Sequence, residues 1–268
     1  MQIKLKTDYC GMNKKQKIYA IISLALIVLT VVLYILFSKQ TLCKKVEIEF
    51  VDTGNQNIIS KEDVKQIIFS EYKNLLGSPI DNVNLGLLER KIERYPSIKN
   101  ADVFKEINGV LGIKVEQRKP ILRVFSNSGK GFYIDEEGEL MPLSDKGTVR
   151  VLTSNGNINY NYKGGIVKVY SDTTVSKTLK ELYTLAKYID DDDFLKAQTE
   201  QVYVTNKNEY ELVPVVGNQI IMLGDMYDYE KKLKHLKQFY LHYLNQHSWK
   251  KYTYINLKYK GQIVCTKR

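Results

Sequence analysis

Between Ile18 and Phe37 the chain runs IYAIISLALIVLTVVLYILF, 20 residues without a charged side chain. At 1.5 Å per residue a helix of that length spans about 30 Å, the thickness of a bilayer's hydrocarbon core. A cleaved signal peptide has a shorter apolar region followed by a small-x-small site. Here the run ends in Leu36-Phe37-Ser38-Lys39, bulky and then basic, so it reads as an uncleaved anchor. Tyr19 and Tyr34 lie near its ends, where interfacial aromatics sit. Lys4, Lys6, Lys14, Lys15 and Lys17 precede the run and are opposed there only by Asp8. Lys39, Lys44 and Lys45 follow it, and Glu47 and Glu49 come soon after. The balance predicts a cytoplasmic basic tail over 1–17, a transmembrane helix over 18–37 and the bulk of the chain outside.

Beyond the anchor, segments alternate between strand and helix periods. VEIEFV (Val46–Val51) reads as a strand. Ser60 reads as a helix N-cap with Asp63 at the third helical position, and Val64, Ile67 and Ile68 share one face. Gly77 and Pro79 break the chain. NLGLLERKIERYP predicts a second helix with Leu87, Leu88 and Ile92 inward, stopped by Pro96. ADVFKEI and VLGIKVEQ follow as strands joined around Asn108-Gly109, a two-residue hairpin signal. The β-α-α-β-β order makes one compact α+β unit over 44–118. Over 119–268 the pattern predicts a mainly antiparallel β domain with packed helices. GFYIDEEGELMPL turns on Asp135–Gly138, VRVLTSN reads as a strand and Thr174–Tyr188 as a helix. EQVYVTN, YELVPVV and QIIML read as three strands. Gly224 permits a turn, Asp225 caps the next helix, and Leu233, Leu236 and Tyr240 form its buried stripe. YTYINLKYKGQIV, Tyr252 to Val264, reads as one final strand, with Ile255, Leu257 and Tyr259 alternating against Asn256, Lys258 and Lys260.

The run YPSIKNADVFKEINGVLGIKVEQRKPI resembles a POTRA domain of the FtsQ/DivIB cell-division family. Ile98, Ala101 and Val103, then Glu116, Arg118 and Pro120, stand at that family's motif positions, with Gln117 inserted. GFYIDEEGELMPL, the Leu223-Gly224 turn with its helix, and YINLKYKGQIV resemble later parts of the same family in the same order. The resemblance implies a single-pass protein of the cytoplasmic (inner) membrane at the division septum. It implies a non-enzymatic scaffold that binds FtsB/DivIC-like and FtsL-like proteins outside the membrane and helps recruit or regulate septal peptidoglycan synthesis.

Chemistry has few footholds in the sequence. Net charge is +10, but beyond the basic tail acids are interleaved and no stripe tracks a phosphate backbone, so nucleic acid is not expected. Cys10, Cys43 and Cys265 are too few for a disulfide framework or a zinc site; a Cys43–Cys265 bridge stays open in an oxidising compartment. His235 and His242 sit two helical turns apart, about 10 Å along the axis, too far for one ion. Asp190–Asp193 lacks the glycine and glutamate of a calcium loop and reads as a solvated helix exit. No G-x-S-x-G occurs, and no catalytic residue, metal, cofactor or small-molecule substrate is expected. A membrane-tethered cell-wall enzyme is one alternative. A POTRA-type outer-membrane assembly or secretion factor is another, though too few alternating strands follow for a barrel.

A chain that anchors and does no chemistry works by binding. The final strand is expected to offer its open edge to a partner strand, with Tyr254, Asn256, Lys258, Tyr259, Lys260 and Gly261 as the contact residues. The resemblance places Lys258, Tyr259 and Gly261 at the family's terminal Arg-Tyr and glycine positions. Lysine there keeps the charge and loses the two-pronged grip on a carboxylate. The competing reading has Lys258 and Lys260 only guarding an edge against aggregation.

Overall fold

The chain folds as α+β around two separate sheets. The computed structural model describes residues 14–37, 40–51, 58–129, 131–145, 147–244 and 251–268. Most of the basic tail with Cys10, and the segment carrying His247 and Trp249, lie outside the described residues.

Helix α1 covers Lys14–Phe37 and is long and apolar enough to cross a membrane. Its side chains from Ile18 to Leu33 pack against nothing else in the chain, so they need an apolar surrounding. Ser23 and Thr30 donate their hydroxyls to the carbonyls of Ala20 and Ile27, so neither hydroxyl needs a partner from outside the helix.

The first domain holds β1 (Lys45–Val51), α2 (Lys61–Glu71), a single 3-10 turn at Ile80–Asn82, α3 (Leu85–Glu93), β2 (Ile98–Lys105) and β3 (Val110–Gln117). β3 is central, parallel to β1 and antiparallel to β2. Ser60 caps α2 in a full capping box with Asp63. Val64 and Ile68 from α2 and Leu88 and Ile92 from α3 close a core with Ile98, Val103, Ile113 and Val115. Leu87, expected inward, is 39% exposed, because the four-residue spacing of Leu88 and Ile92 sets the buried stripe and Leu87 falls beside it. The Asn108-Gly109 connection is a four-residue loop rather than a two-residue one. Only Gly109 takes the left-handed region there, at φ +83°, and its N–H bonds to the Glu106 carbonyl. The outer edge of β2 is not open. Glu93 and Glu89, one turn apart on α3, accept the N–H groups of Ala101 and Val103 at 3.3 and 3.0 Å.

The second domain contains β4 (Pro120–Phe125), β5 (Gly131–Asp135), β6 (Leu140–Pro142), β7 (Leu152–Gly156), α4 (Lys177–Asp190), α5 (Asp193–Gln198), β8 (Thr199–Val204), β9 (Tyr210–Pro214), β10 (Ile220–Gly224), α6 (Tyr229–His242), β11 (Tyr252–Asn256) and β12 (Val264–Lys267). The nine strands run in the order β12-β11-β10-β9-β8-β7-β4-β5-β6. Most neighbours are antiparallel; β4–β7, β7–β8 and β10–β11 are parallel. The helix expected at Thr174–Tyr188 begins at Lys177, because Ser176 accepts the Leu179 N–H and fixes its start. Leu179, Leu182, Leu185 and Ile189 of α4 share a core with Leu233, Leu236 and Tyr240 of α6. Two members of the aspartate run have partners, while Asp191 and Asp193 are exposed. Asp192 caps α5 and pairs with Lys237 at 2.7 Å, and Asp190 pairs with Lys196 at 2.6 Å.

The domains are joined by more than the chain. Arg118 Nη1 lies 3.0 Å from Asp135 Oδ2, both side chains nearly buried, and Arg118 Nη2 reaches Glu139. Lys99 on β2 pairs with Glu137 at 3.0 Å and holds that carboxyl below its usual range. Ile58 packs with Tyr133, Met141 and Val149. Gln117 Oε1 accepts the N–H groups of Ile58 and Ile59, and Ser144 donates to the Ile58 carbonyl.

Candidate partner-binding edge

β10, α6 and β11 form a crossover that lays β11 parallel to β10, with Ile220 opposite Tyr254 and Met222 opposite Asn256. β11 then pairs antiparallel with β12, which closes its second side. The strand expected to run unbroken from Tyr252 to Val264 therefore ends at Asn256 and lies inside the sheet. Two local choices stop it. The Asn256 carboxamide oxygen accepts the Lys258 N–H at 2.9 Å, an Asx turn, and Gly261 takes φ +70°. The period-2 pattern survives through Ile255 and Leu257, both buried, and fails at Tyr259, which is 57% exposed.

The edge itself is β12. Among the described residues no strand covers its far side. Arg268 N–H bonds to the Lys251 carbonyl, so Thr266 and Val264, at the same parity, also face β11. The backbone groups of Cys265 and Lys267 then face outward. Of the residues singled out in the sequence, Tyr254 and Asn256 have backbones committed to the internal ladder. Tyr254 keeps a partly exposed side chain. Lys258, Tyr259, Lys260 and Gly261 form the loop that leads into the edge.

That loop lines a cavity of about 330 Å³ against the start of α6, with Asp225, Tyr227, Lys232 and His235 opposite Leu257, Tyr259 and Ile263. Gly224 shapes it. Its φ of +79° suits glycine, and a Cβ there would lie 2.8 Å from Lys258 Cγ. Lys258 Nζ is held by both carboxylate oxygens of Glu209, at 2.8 and 2.9 Å. Asp225 does not cap α6, which starts at Tyr229 after Asp228 at φ 51°. Its carboxylate instead accepts from Lys232 at 3.1 Å, a contact that holds the Asp225 carboxyl below the usual range. Tyr227 is 71% exposed beside the opening. Tyr227, Glu209 and His235 escape a sequence reading, because they meet this loop from two other elements and carry no periodic signal.

The two cysteines left open are free thiols, Cys43 in the first domain's core and Cys265 on β12. Burial pushes both thiols up, which keeps them protonated.

Comparison with known proteins follows this geometry. The family model described as FtsQ/DivIB, C-terminal related, matches residues 119–266, nearly all of the second sheet and its helices. The chain belongs to the FtsQ/DivIB family. A POTRA-like domain model matches residues 41–116 of this FtsQ/DivIB chain. The cell division protein FtsQ of Streptomyces griseus is 28% identical over 100 residues, 37% of this chain and 46% of that relative. The match therefore spans about half the relative's length. Family membership supports a cell-division role, and α1 fits a single-pass membrane protein at the division site.

Proposed function

We propose that this chain is a non-enzymatic division scaffold, held by α1 in the cytoplasmic membrane with the two domains outside. It binds FtsB/DivIC-like and FtsL-like proteins and thereby helps recruit or regulate septal peptidoglycan synthesis. The observation that carries the reading is the side of β12 that no strand covers among the described residues, beside an open cavity rimmed by Tyr227 and Tyr259. A partner segment adds as a tenth strand through the outward groups of Cys265 and Lys267, and its side chains reach the cavity. The edge of β2 in the first sheet is closed by glutamates, and β12 is the edge that adjoins the tyrosine-rimmed cavity. Tyrosines at the rim supply contact area with little rotamer loss.

The test separates the two sides of one strand. Lys267→Pro removes an outward N–H and places its ring where an added strand would pass, while the β11–β12 ladder is kept. Capture of a soluble DivIC-like partner should be lost in Lys267→Pro and kept in Lys267→Ala, with both variants giving the parent circular dichroism. Unchanged capture by a folded Lys267→Pro chain would rule out strand addition here. A turnover assay of the purified chain on peptidoglycan addresses the enzyme alternative, and release of fragments would favour it.

A further inference from the structure

Three loops meet where the chain leaves α1 and enters the first domain. Leu42 pairs with Pro79 in an isolated bridge, and the Thr41 carbonyl accepts the Ile80 N–H at 2.9 Å. Gly77 N–H bonds to the Cys43 carbonyl and Lys44 N–H to the Gly109 carbonyl, both at 2.8 Å. Gly109 is pressed so closely on this strand that a Cβ would lie 2.3 Å from the Leu42 carbonyl oxygen. The resulting pole is tied together by backbone. It nevertheless presents three large apolar side chains outward: Ile107 at 97% exposure, Leu76 at 53% and Leu42 at 47%. Ile107, at the tip of the β2–β3 loop, touches almost nothing in its own chain. Exposed apolar groups gathered at one pole mark a surface that is covered in use.

The chain's connectivity identifies what covers it. Leu42 comes five residues after Phe37, where the apolar run and α1 both end. Even fully extended, those residues reach no more than about 18 Å. The polar layer of a bilayer is itself about 5–8 Å deep on each side. Cys43, the next residue, is already in the domain's core, so the domain can stand no more than about 10–13 Å clear of that layer. Lys44, Lys73 and Lys105 in these loops outnumber the acids there, Glu106 and Asp81, as suits an anionic headgroup layer.

We propose that this pole is a membrane-seating surface: Ile107, Leu76 and Leu42 enter the headgroup layer of the bilayer that holds α1, with Lys44 and Lys73 at its phosphates. The proposal rests on α1 spanning that bilayer. Its effect is to fix the height and tilt of the first domain over the lipid, which a lone helix and a short connection would leave free. The partner is the lipid surface itself, not a protein that reaches the pole from the side.

The test uses the full chain with Cys10→Ser and Cys265→Ser, Cys43 being shielded in the core. Ile107→Cys or, as a control in the second domain, Ile166→Cys is labelled with NBD and reconstituted in phosphatidylglycerol–phosphatidylethanolamine vesicles. Flotation first reports whether the chain is anchored. In floated vesicles the label at 107 should shift to the blue and lose emission to shallow doxyl lipids, while the label at 166 should do neither. A floated chain whose 107 label stays unquenched, or is quenched no more than 166, overturns the seat and leaves the anchor standing. A chain that does not float overturns the anchor, and the seat with it.

Discussion

Arg118 Nη1 and Asp135 Oδ2 lie 3.0 Å apart, a buried pair set just before the β4–β5 ladder, where Pro120 stands opposite Asp135 and the Glu136 N–H bonds to the Lys119 carbonyl. Arg118 follows the last strand of the first domain, and Asp135 ends the second strand of the other. The other Asp135 oxygen accepts the N–H groups of Glu137 and Glu139 at 2.9 and 2.7 Å, so the carboxylate also shapes its own turn. Removing one member of such a pair strands a charge out of water.

Asp135→Ala should accordingly lower stability by about 3–5 kcal/mol, and Arg118→Ala by a comparable amount. Urea denaturation of the two-domain chain, followed by tyrosine fluorescence, measures this. A loss below about 0.5 kcal/mol, the range of ordinary surface changes, would contradict the junction described.

Gln117→Leu acts on the same junction without charge. It keeps the volume and orphans two amides, those of Ile58 and Ile59. A cost of about 1–3 kcal/mol is expected. Hydrogen exchange should accelerate at Ile58 and Ile59 before it does in β3.

Gly224→Ala forces a side chain into the left-handed region and against the Lys258 stem. The stem can give way, but the backbone cannot, so a loss of about 1–2 kcal/mol is expected. Lys258 should also leave Glu209, visible as a changed Lys258 side-chain signal in NMR.

Alkaline pH should unfold the second domain through its buried tyrosines. Burial pushes the Tyr162 and Tyr183 phenols from near 10 up to about 12. The folded state therefore keeps protons that the unfolded state gives up. Stability is full below pH 10 and falls as pH rises from 10 to 12, by up to about 2 kcal/mol for each group. Tyr183→Phe should flatten that slope in a pH series of denaturation midpoints. A slope equal to that of the parent would contradict the assignment.

Tyr259→Ala changes an exposed loop residue and should leave stability within about 0.5 kcal/mol. If Tyr259 packs on a docked segment, partner capture should fall about tenfold or more. Titration of the folded variant with a DivIC-like ectodomain checks it.

Periodicity carried the fold a long way. Val64 and Ile68, Leu88 and Ile92, and Leu233, Leu236 and Tyr240 all face cores, because burial of a helical stripe is decided within one element. The end of the chain was harder to read for a physical reason. Ile255 and Leu257 obey a strand's alternation, yet the break after Asn256 rests on a side-chain-to-backbone hydrogen bond and a left-handed glycine. Both are compatible with an extended pattern on paper. Asp225 misled similarly: an acid after a glycine looks like a cap, but Lys232 claims it and α6 starts at Tyr229. The cavity's other wall carries no periodic signal, since Tyr227 and His235 are brought to the terminal loop by tertiary packing alone, as is Glu209, which holds Lys258.

The pairing of β1 with β3 has a mechanical consequence. The two strands run parallel in a seven-residue register from Lys45↔Val110 to Val51↔Glu116. β1 is tethered at its start to the apolar helix, and β3 leads from its end into the outer domain. Tension between lipid and outer sheet thus pulls the two strands lengthwise past each other and loads the whole ladder at once. A zipper pulled from one end would part rung by rung; this joint resists as a lap joint does.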